Sequence, residues 1–400
     1  MRILMLSWEY PPHMVGGLGK HVVELLPALE REGIDVHVVT PGWVGGERRE
    51  RVSERVVVHR SDTPGNVEQF DFYVNTQRTN ALLTETAKRV IAEEGPFDLI
   101  HAHDWLVSFS AIVLKYAHKL PLVATIHATE WGRGHGDLYS HMQRAIHTAE
   151  WTLAYEAWRV IATSGYMANE VMTIFNAPHD KIDVIPNGID TTRFDQLEGQ
   201  DLGDLRARYA LPFEKIIFSV GRMVLEKGFQ VLVDAAPHVL RAVPDAKFVV
   251  AGTGPSLGYL KQRADEHGLG PKFFFTGFVA DKVRDGLLRL ADVAAVPSLY
   301  EPFGIVALEA MAAKAPVVST SVGGLGEVVQ HNETGITVYP NDPGSLAWGI
   351  LHTLQNPYWA RLRAENAYRM VVKEYNWQVI AQKTAKVYER IVSERKAIPW

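Results

Sequence analysis

The sequence predicts an α/β protein made of two successive parallel-sheet halves. Three observations carry this reading. The chain has 400 residues, beyond the roughly 100–200 of a typical single domain. Short apolar runs alternate with longer amphipathic stretches, the pattern of parallel βαβ units. That alternation pauses over 187–210 and then restarts.

Residues 2–6 read as a buried first strand. The run is too short for a secretory signal, and Glu9 breaks it. Further strands are predicted at 34–40, 55–59, 98–102, 121–126, 159–163 and 182–185. Between them, 17–31 and 138–157 place apolar residues at helical spacing. Asn187-Gly188-Ile189-Asp190 reads as a turn, and the polar stretch after it places a linker near 190–212. The second half opens at Lys215-Ile216-Ile217-Phe218-Ser219-Val220-Gly221, with strands following at 246–251, 272–276, 292–296 and 316–319. A last helix runs from Tyr375-Asn376-Trp377 to about 395.

Composition narrows the function. Hydrophobic residues make up 47% and charged residues 22%, which excludes disorder as the main state. A net charge of −5 argues against a nucleic-acid partner. Cysteine is absent, which removes disulfides, thiolate metal sites and cysteine nucleophiles. No apolar run approaches 18 residues, so a cytoplasmic protein without stable membrane insertion is expected.

In open α/β sheets, ligands bind outside the carboxyl ends of the strands. Three loops in such places bear on chemistry. The first holds Gly16, Gly17 and Gly19 ahead of a helix, where backbone N–H groups can meet an anion. It is not a dinucleotide fingerprint, and Val38-Val39-Thr40 lacks the acid that would hold a ribose. It is not a P-loop either, since Met14 and His21 stand where Gly and Ser or Thr are needed. It reads as a phosphate or sugar site or as a turn with helix-packing glycines. The second loop, Gly221 to Gly228, carries Arg222 and Lys227. Two cations beside a helix start neutralise a diphosphate, or else decorate a solvated turn. The third, Ser298 to Ala310, places Glu301 before a helix opened by Pro302 and Glu309 about two turns inside it. Glu309 lies among apolar neighbours, where burial without a partner is costly. The alternative is a capping Glu301 and a solvent-facing Glu309.

In order along the chain, these motifs resemble retaining glycosyltransferases of the GT-B type, glycosyl transferases group 1 and family 4. The glycogen and starch synthases and the sucrose-phosphate synthases are close to this group. The matching residues are Gly16-Gly17-Leu18, His101-Ala102-His103-Asp104-Trp105, Thr125-Ile126-His127 and Pro186-Asn187-Gly188-Ile189-Asp190. They continue with Gly221-Arg222 and Lys227-Gly228, Ala251-Gly252-Thr253-Gly254-Pro255, Glu301 with Glu309, and Val322-Gly323-Gly324.

The resemblance implies two Rossmann-like domains facing across a cleft, with a C-terminal helix crossing back to the N-terminal domain. The divisions would be 1–195 for the acceptor side, 196–375 for the nucleotide sugar and 376–400 for the returning helix. It implies transfer of a hexose, glucose first, from a nucleoside-diphosphate sugar to an acceptor hydroxyl, most simply elongation of an α-glucan. Arg222 and Lys227 would ease departure of the diphosphate. Glu301 would hold the donor sugar and its positive transition state, and His127 would bond the sugar near the anomeric centre. Phe303, Gly304 and Ile305 would bind the donor through backbone N–H groups, with Gly16 and Gly17 contributing. Glu309 would hold the ribose, and Asp104 would line the acceptor side with Trp105.

No cofactor and no metal is expected. There is no Asp-x-Asp, and the spacing of His101, His103, His127, His135 and His141 matches no common ligand pattern. UDP-glucose or ADP-glucose would be the donor. The synthases carry Lys where Met14 stands, which leaves the base open. A soluble glucan or sugar acceptor is favoured because no strongly basic amphipathic helix is present. A small soluble acceptor, a lipid or cell-envelope glycan, an epimerase and a non-catalytic binding protein are the alternatives. Gly132, Gly134 and Gly136 suggest a mobile loop gating the acceptor.

Overall fold

A computed structural model describes residues 1–398 of the chain. The chain divides into two compact units. One comprises residues 1–188 and the C-terminal segment from Trp377, and the other is Ile189–Asn376. The transitions fall at Gly188/Ile189 and Asn376/Trp377, where the sequence reading placed 195/196 and 375/376.

The first unit holds strands β1 (Arg2–Leu6), β2 (Asp35–Pro41), β3 (Arg49–Arg51), β4 (Val56–Ser61), β5 (Leu99–His103), β6 (Leu122–Ile126), β7 (Arg159–Ala162) and β8 (Ile182–Val184). They form one sheet in the order β3-β4-β2-β1-β5-β6-β7-β8. All neighbours are parallel except β3, which pairs antiparallel with β4. Sequence reasoning missed β3 because Arg49-Glu50-Arg51 has no apolar residue. It is a short charged edge, which blunts pairing with other chains.

The second unit holds β9 (Lys215–Val220), β10 (Ala246–Ala251), β11 (Phe273–Gly277), β12 (Val293–Val296), β13 (Val317–Thr320) and β14 (Ile336–Val338). Their order is β11-β10-β9-β12-β13-β14, all parallel. This is the doubly wound order 3-2-1-4-5-6. The first sheet follows it too once the β3 edge is set aside. Each sheet therefore has a switch point, at β1/β5 and at β9/β12, where connections leave in opposite directions and open a crevice.

Both faces of each sheet are covered, so the central strands are mostly apolar. Ile3 and Met5 enter one core and Leu4 and Leu6 the other, all at 0% exposure. Likewise Ile216 and Phe218 face one core of the second unit and Ile217 the opposite one.

The first helix, Gly17–Arg31, buries Val22, Leu25, Leu26 and Leu29, and Gly33 turns the chain after it in the left-handed region (φ 75°). The final helix, Trp377–Ala397, packs into the same core through Ile380, Ala381, Tyr388 and Ile391. Polar bonds fix its register: Trp377 Nε1 donates to Glu24 (2.7 Å), and Trp158 Nε1 donates to Glu394 (2.7 Å). Tyr388, fully buried, meets His101 Nδ1 at 2.6 Å. Among the described residues, no helix is long and apolar enough to cross a membrane.

Removing the Tyr388 hydroxyl leaves a buried His101 nitrogen unpaired. Tyr388→Phe is expected to destabilise the chain by about 1–3 kcal/mol, read as a lower urea midpoint at unchanged m-value. An unchanged midpoint would contradict this role.

Candidate active site

The described geometry places polar side chains at the carboxyl ends of the strands flanking each switch point. In the second unit, the loop after β9 carries Arg222 and Lys227, and the loop after β12 carries Glu301. The two loops are stitched together, since Leu299 N and Tyr300 N both donate to the Glu226 carbonyl (2.7 and 3.2 Å). Gly228 permits this approach. It has φ 69°, and a Cβ there would lie 1.9 Å from the Pro297 carbonyl oxygen. Lys227 Nζ then donates to Glu301 Oε2 at 2.7 Å, and Ser298 Oγ reaches the same oxygen at 3.2 Å. Arg222 is an exposed guanidinium 3.1 Å from Glu226.

The helix beyond Glu301 starts at Ile305, not at Pro302. Glu301 and Glu309 are therefore not two turns apart on one helix, which corrects the periodicity argument. Glu301 is not a cap either. The N-cap is Gly304, at φ 113°, with Phe303 buried before it. The first N–H groups of any helix lack intrahelical partners, so Ile305 begins a donor-rich end beside the Lys227–Glu301 pair. Glu309 is buried rather than solvent-facing. Its Oε1 accepts from Arg193 (3.0 Å) and lies 3.5 Å from Arg284, and both arginines also approach Asp285. Sequence reasoning missed both partners, because 116 residues separate Arg193 from Glu309.

In the first unit, the glycine loop is held by Glu9. One carboxylate oxygen accepts from Val15 N (3.0 Å), Gly16 N (2.9 Å) and Gly19 N (3.3 Å). The Gly16 N–H, expected to meet a ligand, is thus engaged by the protein's own anion, while Gly17 stands exposed at the first helical position. Glu9 was read only as the end of an apolar run. Its place just beyond β1, at the crevice, was the available signal.

His103 is the last residue of β5, one position beyond the predicted strand. Asp104 follows with φ 59°, in the left-handed region, which costs a non-glycine residue on the order of 1–3 kcal/mol. In that conformation its Oδ1 accepts from His127 N at 2.7 Å. Burial pushes the Asp104 carboxyl up to about 7, opposed by the backbone N–H groups of His127 and Ala128. Burial also lowers His127 to about 3, so its imidazole is neutral. Trp105 is buried and stacks on Tyr73, a packing role.

The glycine-rich segment after Thr129 forms a series of hydrogen-bonded turns. Glu130–Arg133 is a helical turn capped by Thr129, and Gly134 N and Gly136 N donate to Glu130 and Trp131 carbonyls (2.9 and 3.0 Å). Glu150 anchors it from the helix His141–Glu156 by accepting from Glu130 N (2.9 Å).

Each unit is thus a doubly wound parallel α/β sheet whose switch-point crevice is lined by charged and hydrogen-bonding groups beyond the strand ends. Comparison with known proteins supplies the family. The profile described as Glycosyltransferase Family 4 matches residues 15–193, and that described as Glycosyl transferases group 1 matches residues 205–371. An uncharacterised glycosyltransferase of Methanocaldococcus jannaschii is 38% identical over 97% of this chain and 98% of its own. The glycogen synthase of Mycobacterium tuberculosis is 35% identical over 97% of this chain and 94% of its own. Among solved structures, sucrose-phosphate synthase from Thermosynechococcus elongatus superposes with a TM-score of 0.84 at 26% identity, covering 98% of this chain and 99% of that one. The chain belongs to the GT-B glycosyltransferases of group 1 and family 4.

Glu150 generates a pH dependence. Burial, its largest influence, pushes its carboxyl from 4.5 up to about 8. The folded chain keeps a proton that the unfolded chain has lost, so this group's contribution to stability falls as pH rises from 4.5 to about 8 and is level above. Glu150→Gln is expected to melt higher than the native chain at pH 8 and to match it near pH 4.5, by calorimetry. An equal difference at both pH values would contradict the assignment.

Proposed function

We propose that this glycosyltransferase moves glucose from a nucleoside-diphosphate sugar, UDP- or ADP-glucose, to a hydroxyl of a soluble α-glucan, with retention and without a metal. The observation that carries the reading is the Lys227–Glu301 pair at 2.7 Å beside the helix start at Ile305. The similarity to a glycogen synthase over nearly the whole chain supports the acceptor class.

The difficult step is departure of the diphosphate as positive charge grows on the sugar. Fixed cations preorganised at the leaving group lower that barrier without reorganising during the reaction. Lys227 and Arg222 fill this role, and the N–H groups of Phe303, Gly304 and Ile305 take further phosphate oxygens. Glu301 orients Lys227 and meets the sugar hydroxyls and the oxocarbenium-like centre. Retention follows from front-face attack, in which the leaving phosphate accepts the proton of the incoming hydroxyl. His127 offers a neutral imidazole to the sugar, and Asp104 positions it through the backbone. Glu309, held by Arg193 and Arg284, takes the ribose. A second reading, transfer to a small soluble sugar phosphate, is favoured by the likeness to sucrose-phosphate synthase.

Labelled UDP-glucose and ADP-glucose, incubated with glycogen and with sugar phosphates, test the assignment. Label is expected in α-linked glucan, and turnover is expected to survive exhaustive chelation with EDTA. Free epimer or glucose phosphate as sole product would refute transfer. Glu301→Ala and Lys227→Ala are each expected to lower kcat by at least about 10²-fold with the circular dichroism spectrum intact. Near-native kcat in either would remove that residue from the mechanism.

A further inference from the structure

Three histidines distant in sequence converge at the crevice of the first unit. His21 projects from the first helix, His103 ends β5, and His127 follows β6. One ring nitrogen of each lies within 4.8 Å of the others. Ring centroids are 4.8 Å apart for His21 and His127, 5.3 Å for His21 and His103, and 5.5 Å for His103 and His127.

Their hydrogen bonding sets the rings up as ligands. His21 Nδ1 meets the Asn187 side-chain oxygen Oδ1 at 2.6 Å. An amide oxygen only accepts, so the proton sits on Nδ1 and the Nε2 lone pair is free for another partner. This outer-shell arrangement is the one that orients metal-bound imidazoles. His103 Nδ1 and His127 Nε2 face one another at 3.2 Å. His103 is fully buried, yet its Nε2 has no hydrogen-bond partner among the described residues. His101 lies against His103 but spends both nitrogens on Tyr388 and Thr125, so it is not a candidate.

We propose that His21, His103 and His127 form a binding site for a divalent transition metal of the zinc or cobalt class. Three imidazoles with an open fourth position suit such ions. Bonds of about 2.0–2.1 Å to a tetrahedral centre place ligand nitrogens about 3.3 Å apart. The His103 Nδ1–His127 Nε2 edge already has that spacing, and His21 offers its nitrogen within 4.8 Å of both. The ion would occupy the His127 nitrogen and so arrest transfer. That consequence rests on the role given to His127 above, whereas the binding itself does not.

Cobalt(II) titration of the metal-stripped full chain tests the site. One equivalent is expected to bind with the intense visible bands of a tetrahedral centre. Affinity is expected to fall at least tenfold in His21→Gln and His103→Gln and to be unchanged in His141→Gln, an exposed control. Absence of stoichiometric binding to the native chain would overturn the site, as would unchanged affinity in folded His21→Gln and His103→Gln. If both variants misfold, X-ray absorption of the cobalt-loaded native chain decides. Three imidazole nitrogens are expected, and none or one would overturn the site. A cobalt-loaded chain that binds as expected yet transfers sugar at the full rate would refute the role of His127 and leave the site standing.

Discussion

The pairing of Lys227 with Glu301 is the interaction on which the proposed chemistry of the second unit depends. It is a largely buried ion pair, with side chains 26% and 11% accessible, and the cost of desolvating two charges offsets much of what their attraction adds to stability. Its value lies in placement. A lysine side chain is long and flexible, and a carboxylate at 2.7 Å selects one position for its ammonium. That position lies between two strand ends and beside a helix start. The backbone makes it possible, through the β9/β12 switch point, the Glu226 carbonyl that binds the neighbouring loop, and the close approach at Gly228.

The first unit repeats the strategy with different groups. Glu9 organises a glycine loop by accepting three backbone N–H bonds, much as a phosphate would. Asp104 accepts backbone bonds from the turn carrying His127 and adopts a strained conformation to do so. In both places a carboxylate fixes the backbone, and another group faces the crevice. The four-charge cluster of Arg193, Arg284, Asp285 and Glu309 applies the same principle in a buried setting, where a lone acid would be costly.

The layered α/β architecture was legible because buried parallel strands are apolar on both faces and stand out as short runs. The β3 edge escaped because a charged edge strand has no such signature. Glycines and the acids Glu301 and Glu309 drew attention to loops that the structure does place at strand ends, since strand-to-helix loops are short and local. The partners were harder to see. Glu301 with Lys227 joins residues 74 apart, and His21 with Asn187 joins residues 166 apart. Such pairs depend on strand order, which a single sequence does not encode locally. His21 was weighed only as a failed P-loop residue, and its convergence with His103 and His127 required the β1/β5 crossing to be known.

The most direct test of the central claim is a crystal structure of the full chain with an intact nucleotide sugar. The account predicts diphosphate oxygens within hydrogen-bonding distance of Lys227 Nζ and the Arg222 guanidinium, against the helix that begins at Ile305. A diphosphate bound elsewhere, with both cations left to Glu301 and Glu226 alone, would contradict it.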